Sequence, residues 1–190
     1  MALSVLDQNT ALIIIDLQKG VVSIPLAHPA AEVVNNARAL ADAFRSHGLP
    51  VVLVNVAGAA PGRTEQPRRT MSFPPGWTEL VPELNRQPSD HTITKYTPGA
   101  FTKTGLEEHL RGQGVSQVVL AGISTSSGVE STARQAYELG FHGTFAIDAM
   151  TDANMDPHVH SLTKIFPRLG ESGTTQEVLN LLNSTRASTN

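Results

Sequence analysis

The 190-residue sequence contains no cysteine, few aromatic residues and no long apolar run. Without cysteine, the chain can form no disulfide, no thiolate zinc site and no cysteine nucleophile. The apolar stretch at residues 11–15 is far shorter than the ~20 residues that cross a bilayer. The start of the chain also lacks the basic segment typical of a signal peptide. We therefore expect a cytoplasmic protein without a membrane partner.

Charged residues are also scarce, at 16% of the chain, and 14 basic against 17 acidic residues give a net charge of −3. A chain without excess positive charge is poorly suited to nucleic acid as its main partner. The 40% apolar fraction is typical of a globular protein, and this length suits a single domain. We predict one domain over residues 1–183, followed by a polar tail at 184–190, acting on a small molecule.

Short apolar runs alternate with segments of helical period along the chain. The apolar runs predict buried strands at residues 11–16, 50–56, 117–121 and 144–148, with a short alternating strand at 92–96. Helices are predicted at residues 30–47, 78–85, 104–112 and 127–139, after an Asp156 N-cap, and from a capping box at 174–177 to Leu182. This alternation favours a doubly wound α/β fold with a mostly parallel sheet.

Three candidate site positions follow predicted strands, where doubly wound sheets bind their ligands. Asp16 ends the first strand and could be a general acid or base, or only bond a nearby loop. Lys95 ends the short strand; a buried lysine needs a partner, and Asp16 is the obvious one, whereas the alternative is an exposed lysine. The corner at residues 122–128 could bind an oxyanion through backbone N–H groups, or could be a plain helix N-cap. The corner matches neither the dinucleotide-binding glycine pattern nor the nucleophile elbow.

The same residues, taken in this order, resemble the isochorismatase-like hydrolase family, also called the cysteine hydrolase or nicotinamidase-like superfamily. The resemblance covers residues 11–182 and includes the segments 16–18, 95–101, 122–125, 129–133 and 148–158. It implies a three-layer α/β/α architecture around a six-stranded sheet. It also implies a homo-oligomer, dimeric or larger, and a cis peptide between Ile123 and Ser124.

The resemblance further implies a set of site residues. Family members use an Asp, Lys and Cys triad, and Asp16 and Lys95 match its first two members. Gly128 occupies the position of the cysteine, so the nucleophile is replaced. The implied oxyanion and substrate-binding residues are Ile123, Ser124, Ser127, Gly128, Gln18 and Phe101. No metal and no cofactor are implied.

Replacement of the cysteine by glycine points to the isochorismatase branch of chemistry, because glycine cannot form the thioester used for amide hydrolysis. Isochorismatases resemble a triad without cysteine and hydrolyse a vinyl ether. The chain is thus expected to act on a small, carboxylated molecule, with Asp16 as general acid. Burial must then raise the pKa of Asp16 more than Lys95 lowers it. Residues 124–126 lack the Tyr-Ala-His segment of typical isochorismatases, so the substrate stays open.

Several alternatives accompany this interpretation. Water activated by Asp16 could hydrolyse an amide or ureide, or the protein could bind a small molecule without catalysis. A nearby serine (124, 126 or 127) could replace the nucleophile, although one residue turns a helical side chain by about 100°.

Two other groups of residues have weaker claims to a site. A metal cluster of His158, His160, Asp152 and Asp156 is less favoured than surface capping, because helical i, i+2 residues point to different faces. The loop residues Arg63, Arg68, Arg69 and Trp77 could line the substrate entrance or simply face solvent.

Overall fold

The structure, a computed structural model, describes residues 3–65 and 73–187. Within these residues a single sheet has the strand order β3-β2-β1-β4-β5-β6, and every neighbouring pair is parallel. The strands are β1 (Thr10–Ile15), β2 (Val51–Val56), β3 (His91–Lys95), β4 (Gln117–Ile123), β5 (His142–Thr151) and β6 (Gly170–Gly173). The order runs outward in both directions from β1, so the predicted doubly wound α/β fold is confirmed.

Helices cover both faces of this sheet. They are α1 (Lys19–Val22), α2 (Ala30–Ser46), α3 (Leu106–Gly112), α4 (Glu130–Glu138), α5 (Met155–His160) and α6 (Thr175–Ala187). Side chains of β1 alternate between two apolar clusters: Leu12 and Ile14 pack towards α2 and α6, whereas Ile13 and Ile15 pack towards α3 and α4. Burial on both faces explains the continuous apolar run of this strand. In the described part of the chain, no helix combines the length and hydropathy needed to span a bilayer.

The observed elements differ from the predicted ones where hydrophobic patterning is weak. Strand β6 has the sequence Gly-Glu-Ser-Gly, which offers no apolar alternation to read. The predicted helix at residues 78–85 is only a 3₁₀ turn, Pro82–Leu84. Helix α6 continues to Ala187, past the predicted end at Leu182, so the predicted polar tail begins as helix.

The helix starts also test the capping predictions. At α6 the capping box is confirmed, since Glu177 N–H donates to Thr174 Oγ1 at 3.2 Å and Thr174 N–H donates to Glu177 Oε2 at 2.6 Å. At α5 the N-cap is Asn154, and Asp156 lies inside the first turn. At α3 the N-cap is Gly105, in the left-handed region, and the Thr104 hydroxyl donates instead to the carbonyl of Ala100.

The carboxyl ends of β1, β3 and β4 meet at one edge of the sheet. Ile15 is paired with Gly122, and Lys95 is paired with Val56 at the end of β2. Gly122 has φ +118, and a Cβ there would lie 2.0 Å from the carbonyl oxygen of Ile15. Only glycine fits this contact, which brings β4 against the start of the segment that follows β1.

We expect Gly122→Ala to destabilise the fold far more than Gly140→Ala. Both glycines have φ in the left-handed region, but Gly140, with φ +82, has open space where a Cβ would be added. Gly140→Ala should therefore cost only the ~1–2 kcal/mol of a left-handed alanine. Gly122→Ala must also displace the backbone of Ile15. Urea denaturation of both variants measures the difference, and equal losses would refute the role assigned to this contact.

Candidate functional site

Asp16 and Lys95 form a buried ion pair at this edge. Lys95 Nζ lies 2.8 Å from Asp16 Oδ2, and the two side chains are 2% and 7% exposed. Strand β2 lies between β1 and β3, so the lysine side chain crosses the end of one strand to reach the aspartate. Lys95 Nζ also donates to the carbonyl of Thr97 at 3.3 Å. The predicted proximity of the two side chains is confirmed.

The environment of Asp16 raises the pKa of its carboxyl group, which is the direction that acid catalysis requires. Burial raises the pKa of Asp16 from 3.8 to about 6, against the opposing charge and hydrogen bond of Lys95. Its second oxygen, Oδ1, is buried and bonds to no atom of the described residues. The carboxyl group therefore has one oxygen held by Lys95 and one buried oxygen without a hydrogen-bond partner among the described residues.

A cavity of about 300 Å³ opens above this pair. It brings together most of the predicted site residues, Asp16, Lys95, Ile123, Ser124, Ser127 and Gly128. The peptide between Ile123 and Ser124 is cis, as the family resemblance implies. Residues 125–129 then form a π-helical turn that leads into α4. The corner predicted from the sequence is thus one wall of the cavity.

Gly128 lies directly against the ion pair. A Cβ built there would be 3.3 Å from Asp16 Oδ2, 3.4 Å from the carbonyl oxygen of Ile123 and 2.9 Å from Cγ2 of Ile15. The last distance is shorter than Cβ contacts in folded proteins, so a side chain at 128 requires Ile15 to move. Residue 128 therefore meets Asp16 where the resemblance places the family nucleophile, but the surrounding atoms have closed around glycine.

Gln18 and Phe101, both predicted to bind substrate, do not line this cavity. Gln18 Nε2 donates to the carbonyls of Val56 and Trp77 at 3.0 and 3.3 Å, and its Oε1 accepts the Val56 N–H at 2.7 Å. It fixes the chain that leaves β2. Phe101 packs with the apolar cluster beneath α3 and α4, its ring 5.8 Å from that of Phe141. Both side chains hold walls in place, which corrects the predicted contact with substrate.

Asp152 and His158 are buried, which corrects their prediction as surface capping groups. Asp152 Oδ2 accepts hydrogen bonds from the N–H and hydroxyl of Ser126, both at 2.7 Å. His158 Nδ1 lies 2.8 Å from the Thr125 hydroxyl. Burial, and secondarily His28, lowers the pKa of His158, whereas Asp152 opposes this effect. Among the residues with described positions, no group of three or more His, Cys, Asp or Glu side chains could hold a metal ion.

The sequence did not predict that Asp152 and His158 bond to the corner after β4, because it suggested them only as metal ligands or surface caps. Asp152 directly follows β5, and the rule that selected Asp16 at the end of β1 applies equally there. Ser126 is not among the residues that line the Asp16 cavity, so its hydroxyl is not placed to attack a molecule bound there.

The long loop after β2 contributes differently from the prediction. Trp77 packs over Gly20, with its ring 4.5 Å from that of Phe73, and lines a separate cavity beside Lys19 and Glu79. Arg63 is not among the residues lining the Asp16 cavity, and the predicted Arg68 and Arg69 lie outside the described residues. The mouth is lined instead by the small residues 58–60.

We expect the Asp16 carboxyl to titrate with a pKa of about 6, measurable by ¹³C NMR of protein labelled on aspartate, with Asp16→Asn for assignment. Lys95→Met should raise this pKa further, because the opposing charge is lost. Since the folded pKa exceeds 3.8, Asp16 adds stability at pH below about 4, and this contribution is lost as the pH rises through about 6. A midpoint near 4, unmoved by Lys95→Met, would contradict the buried pair.

Comparison with known proteins agrees with this geometry. Residues 10–177 match the isochorismatase domain family. The isochorismatase family protein YwoC of Bacillus subtilis is 45% identical over 179 residues, which cover 90% of this chain and 93% of that protein. The isochorismatase family protein YecD of Escherichia coli is 42% identical over 184 residues, covering 92% and 97%.

A solved structure gives the same result in three dimensions. An isochorismatase family protein from Burkholderia thailandensis superimposes with a TM-score of 0.91 at 38% identity, covering 94% of this chain and 98% of that one. The family match spans most of the sequence, including the strands whose ends carry Asp16 and Lys95. The chain belongs to the isochorismatase family.

Proposed function

We propose that this protein is a hydrolase that uses Asp16 and Lys95 in acid–base chemistry on a small molecule, without a covalent intermediate. The observation that carries the proposal is the position of Asp16 in the cavity lining, where its Oδ2 is paired with Lys95 and its buried Oδ1 has no hydrogen-bond partner among the described residues. A buried carboxyl whose pKa is about 6 holds a proton in a fraction of molecules at neutral pH. No side chain at residue 128 offers an alternative attacking group.

Vinyl ether hydrolysis uses these groups in a balanced sequence. Protonated Asp16 gives its proton from Oδ1 to the terminal carbon of the C=C–O unit, which leaves an oxocarbenium ion. Water adds to that ion, and the resulting hemiketal breaks its C–O bond to yield an alcohol and a carbonyl compound. The proton released by the water returns to Asp16. Lys95 stabilises the carboxylate that forms when Asp16 loses its proton, through the 2.8 Å contact.

Amide or ureide hydrolysis is the second candidate, and the pKa of Asp16 favours keeping it. At pH values above about 6 the ionised form predominates, and this form could deprotonate a water molecule for attack on a carbonyl carbon. The two reactions need opposite protonation states of one carboxyl group, so their pH profiles differ in sign. A silent binding protein would show neither.

Two further expectations follow from family resemblance and belong to this proposal. One is a homo-oligomer, dimeric or larger, for which exposed apolar side chains such as Ile24, Met155 and Val159 offer contact area. The other is a cytoplasmic location. The small size of the Asp16 cavity supports a metabolite-sized partner rather than a macromolecule.

The test is hydrolysis of a panel of enol ethers, isochorismate included, beside small amides and ureides. We expect turnover of an enol ether that declines as the pH rises above about 6, because the reacting proton resides on Asp16. Asp16→Asn should lower the rate by roughly 10²–10⁴-fold, whereas Asp156→Asn, on an exposed helical residue, should not. A rate that rises through pH 6 would select the amide or ureide reaction, and activity that survives Asp16→Asn would refute both.

Restoring a thiol tests whether the family geometry persists. We expect the thiol in Gly128→Cys to have a pKa below the free value of ~8.5, because Lys95 and the start of a helix favour thiolate. Alkylation by iodoacetamide measures this directly, since the chain has no other cysteine. Ser127→Cys, on an exposed neighbour at the rim, is the matched control with an ordinary thiol.

The steric cost of this change is separable from its chemistry. Gly128→Ala reports the destabilisation caused by the Cβ contact with Ile15, and Gly128→Cys should lose stability to a similar extent. Equal alkylation rates at positions 127 and 128, in folded protein, would mean that Lys95 and the helix start do not act on residue 128.

A further inference from the structure

We propose that the Asp16 cavity selects substrates with at most one negative charge, carried at the end that reaches Lys95, and with an uncharged remainder. The inference rests on the proposed function only in taking the Asp16–Lys95 end as the reacting end. It concerns the class of substrate. It follows from the positions of the charged side chains in the described lining, which lie at the floor of the cavity and not at its mouth.

All charged side chains of the described cavity lining lie at its floor. Among those residues, Lys95 is the one cation and Asp16 the one anion, and they are bonded to each other. The other buried lining residues are Ile123 and Gly128. One anionic group can be matched here, because a protonated Asp16 releases the charge of Lys95 to the ligand. A second anionic group has no cation left to meet.

The rim is uncharged over the same described set. Ile24, Ala59, Ala60 and Pro98 are exposed at the mouth, and Val21 and Val56 are half-buried below them. The part of a substrate that points away from the ion pair lies against these small or apolar side chains. An ionised group there would lose part of its hydration without gaining a counter-charge. The rim therefore favours an apolar or neutral polar substituent.

Size limits the substrate as well. A cavity of about 300 Å³ lies at the lower end of the ~300–1,000 Å³ typical of ligand sites, so one ring or a short chain fills it. The far end of so small a molecule lies against the uncharged rim, where a charge would exchange part of its hydration for contacts without a counter-charge. Dicarboxylates such as isochorismate are thereby disfavoured relative to singly charged ethers or amides of similar size.

Matched ligand pairs test this inference without any need for turnover. Terephthalate and 4-carbamoylbenzoate share one shape and differ by one charge at about pH 6, where free carboxyl groups are ionised and Asp16 is still protonated in about half of the molecules. A cyclohexenedicarboxylate and its monoamide form a second pair, and a four-carbon dicarboxylate and its monoamide form a third. Binding is followed by the ¹³C shift of the Asp16 carboxyl and by calorimetry, at constant ionic strength. We expect each dicarboxylate to bind at least about tenfold more weakly than its monoamide.

Adding a cation to the rim should reverse the preference. Ala59→Arg and Ala60→Arg change exposed residues at the mouth. They should reduce or reverse the difference in affinity between the dicarboxylate and the monoamide of each pair. Ala59→Gln and Ala60→Gln are the controls for side-chain size, and they should leave this difference in affinity unchanged. Because both positions, 59 and 60, are exposed, all four variants are expected to fold.

Each outcome decides the inference. Wild-type binding of a dicarboxylate as tight as that of its monoamide overturns it, and so does a failure of every monoamide to bind at Asp16. If the arginine variants leave the difference in affinity unchanged, the uncharged rim is not the cause of the preference. The proposed function fails separately, if monoanions bind with the expected preference but no enol ether, amide or ureide is hydrolysed.

Discussion

The removal of Asp16 and Lys95 from water is the constraint on which the rest of this site depends. A buried carboxylate loses hydration that a single ammonium group does not fully replace, and the pKa of Asp16 consequently rises to about 6. The sheet makes this burial possible, since the ends of β1 and β3 are covered by the corner after β4. The protonated form of Asp16, which the proposed acid catalysis would use, is therefore also the form that the fold favours, because burial disfavours the carboxylate.

Support for the site comes from side chains that do not touch the cavity. Gln18 bonds the chain after β2, and Asp152 bonds the corner after β4. Each makes several hydrogen bonds to loop atoms that would otherwise be buried without partners. The walls are thus held by polar contacts with fixed geometry, while the interior of the sheet is held by apolar packing.

Sequence predicted the fold and the buried ion pair from the same strands. Asp16 ends a continuous apolar run, which is typical of a buried parallel strand, and Lys95 ends a short alternating strand; both therefore lie at the carboxyl ends of strands, where such sheets bind ligands. Strand β6 escaped prediction because Gly-Glu-Ser-Gly has no such run. Gln18 and Phe101 were misplaced because a short motif shows proximity along the chain but not which way a side chain points. The burial of His158 depends on Thr125, thirty-three residues away, which no local pattern records.

The contact between Gly128 and Ile15 has a consequence for how this protein can change over generations. The β-branched methyl of Ile15 occupies the space that a Cβ at 128 would enter. The two positions are therefore coupled, and a mutation at 128 is tolerated better in a background where residue 15 has already become smaller. A lineage that begins with this pair of residues cannot regain a side chain at 128 in a single step without a loss of stability. The glycine at 128 is thus held in place by a neighbouring methyl group.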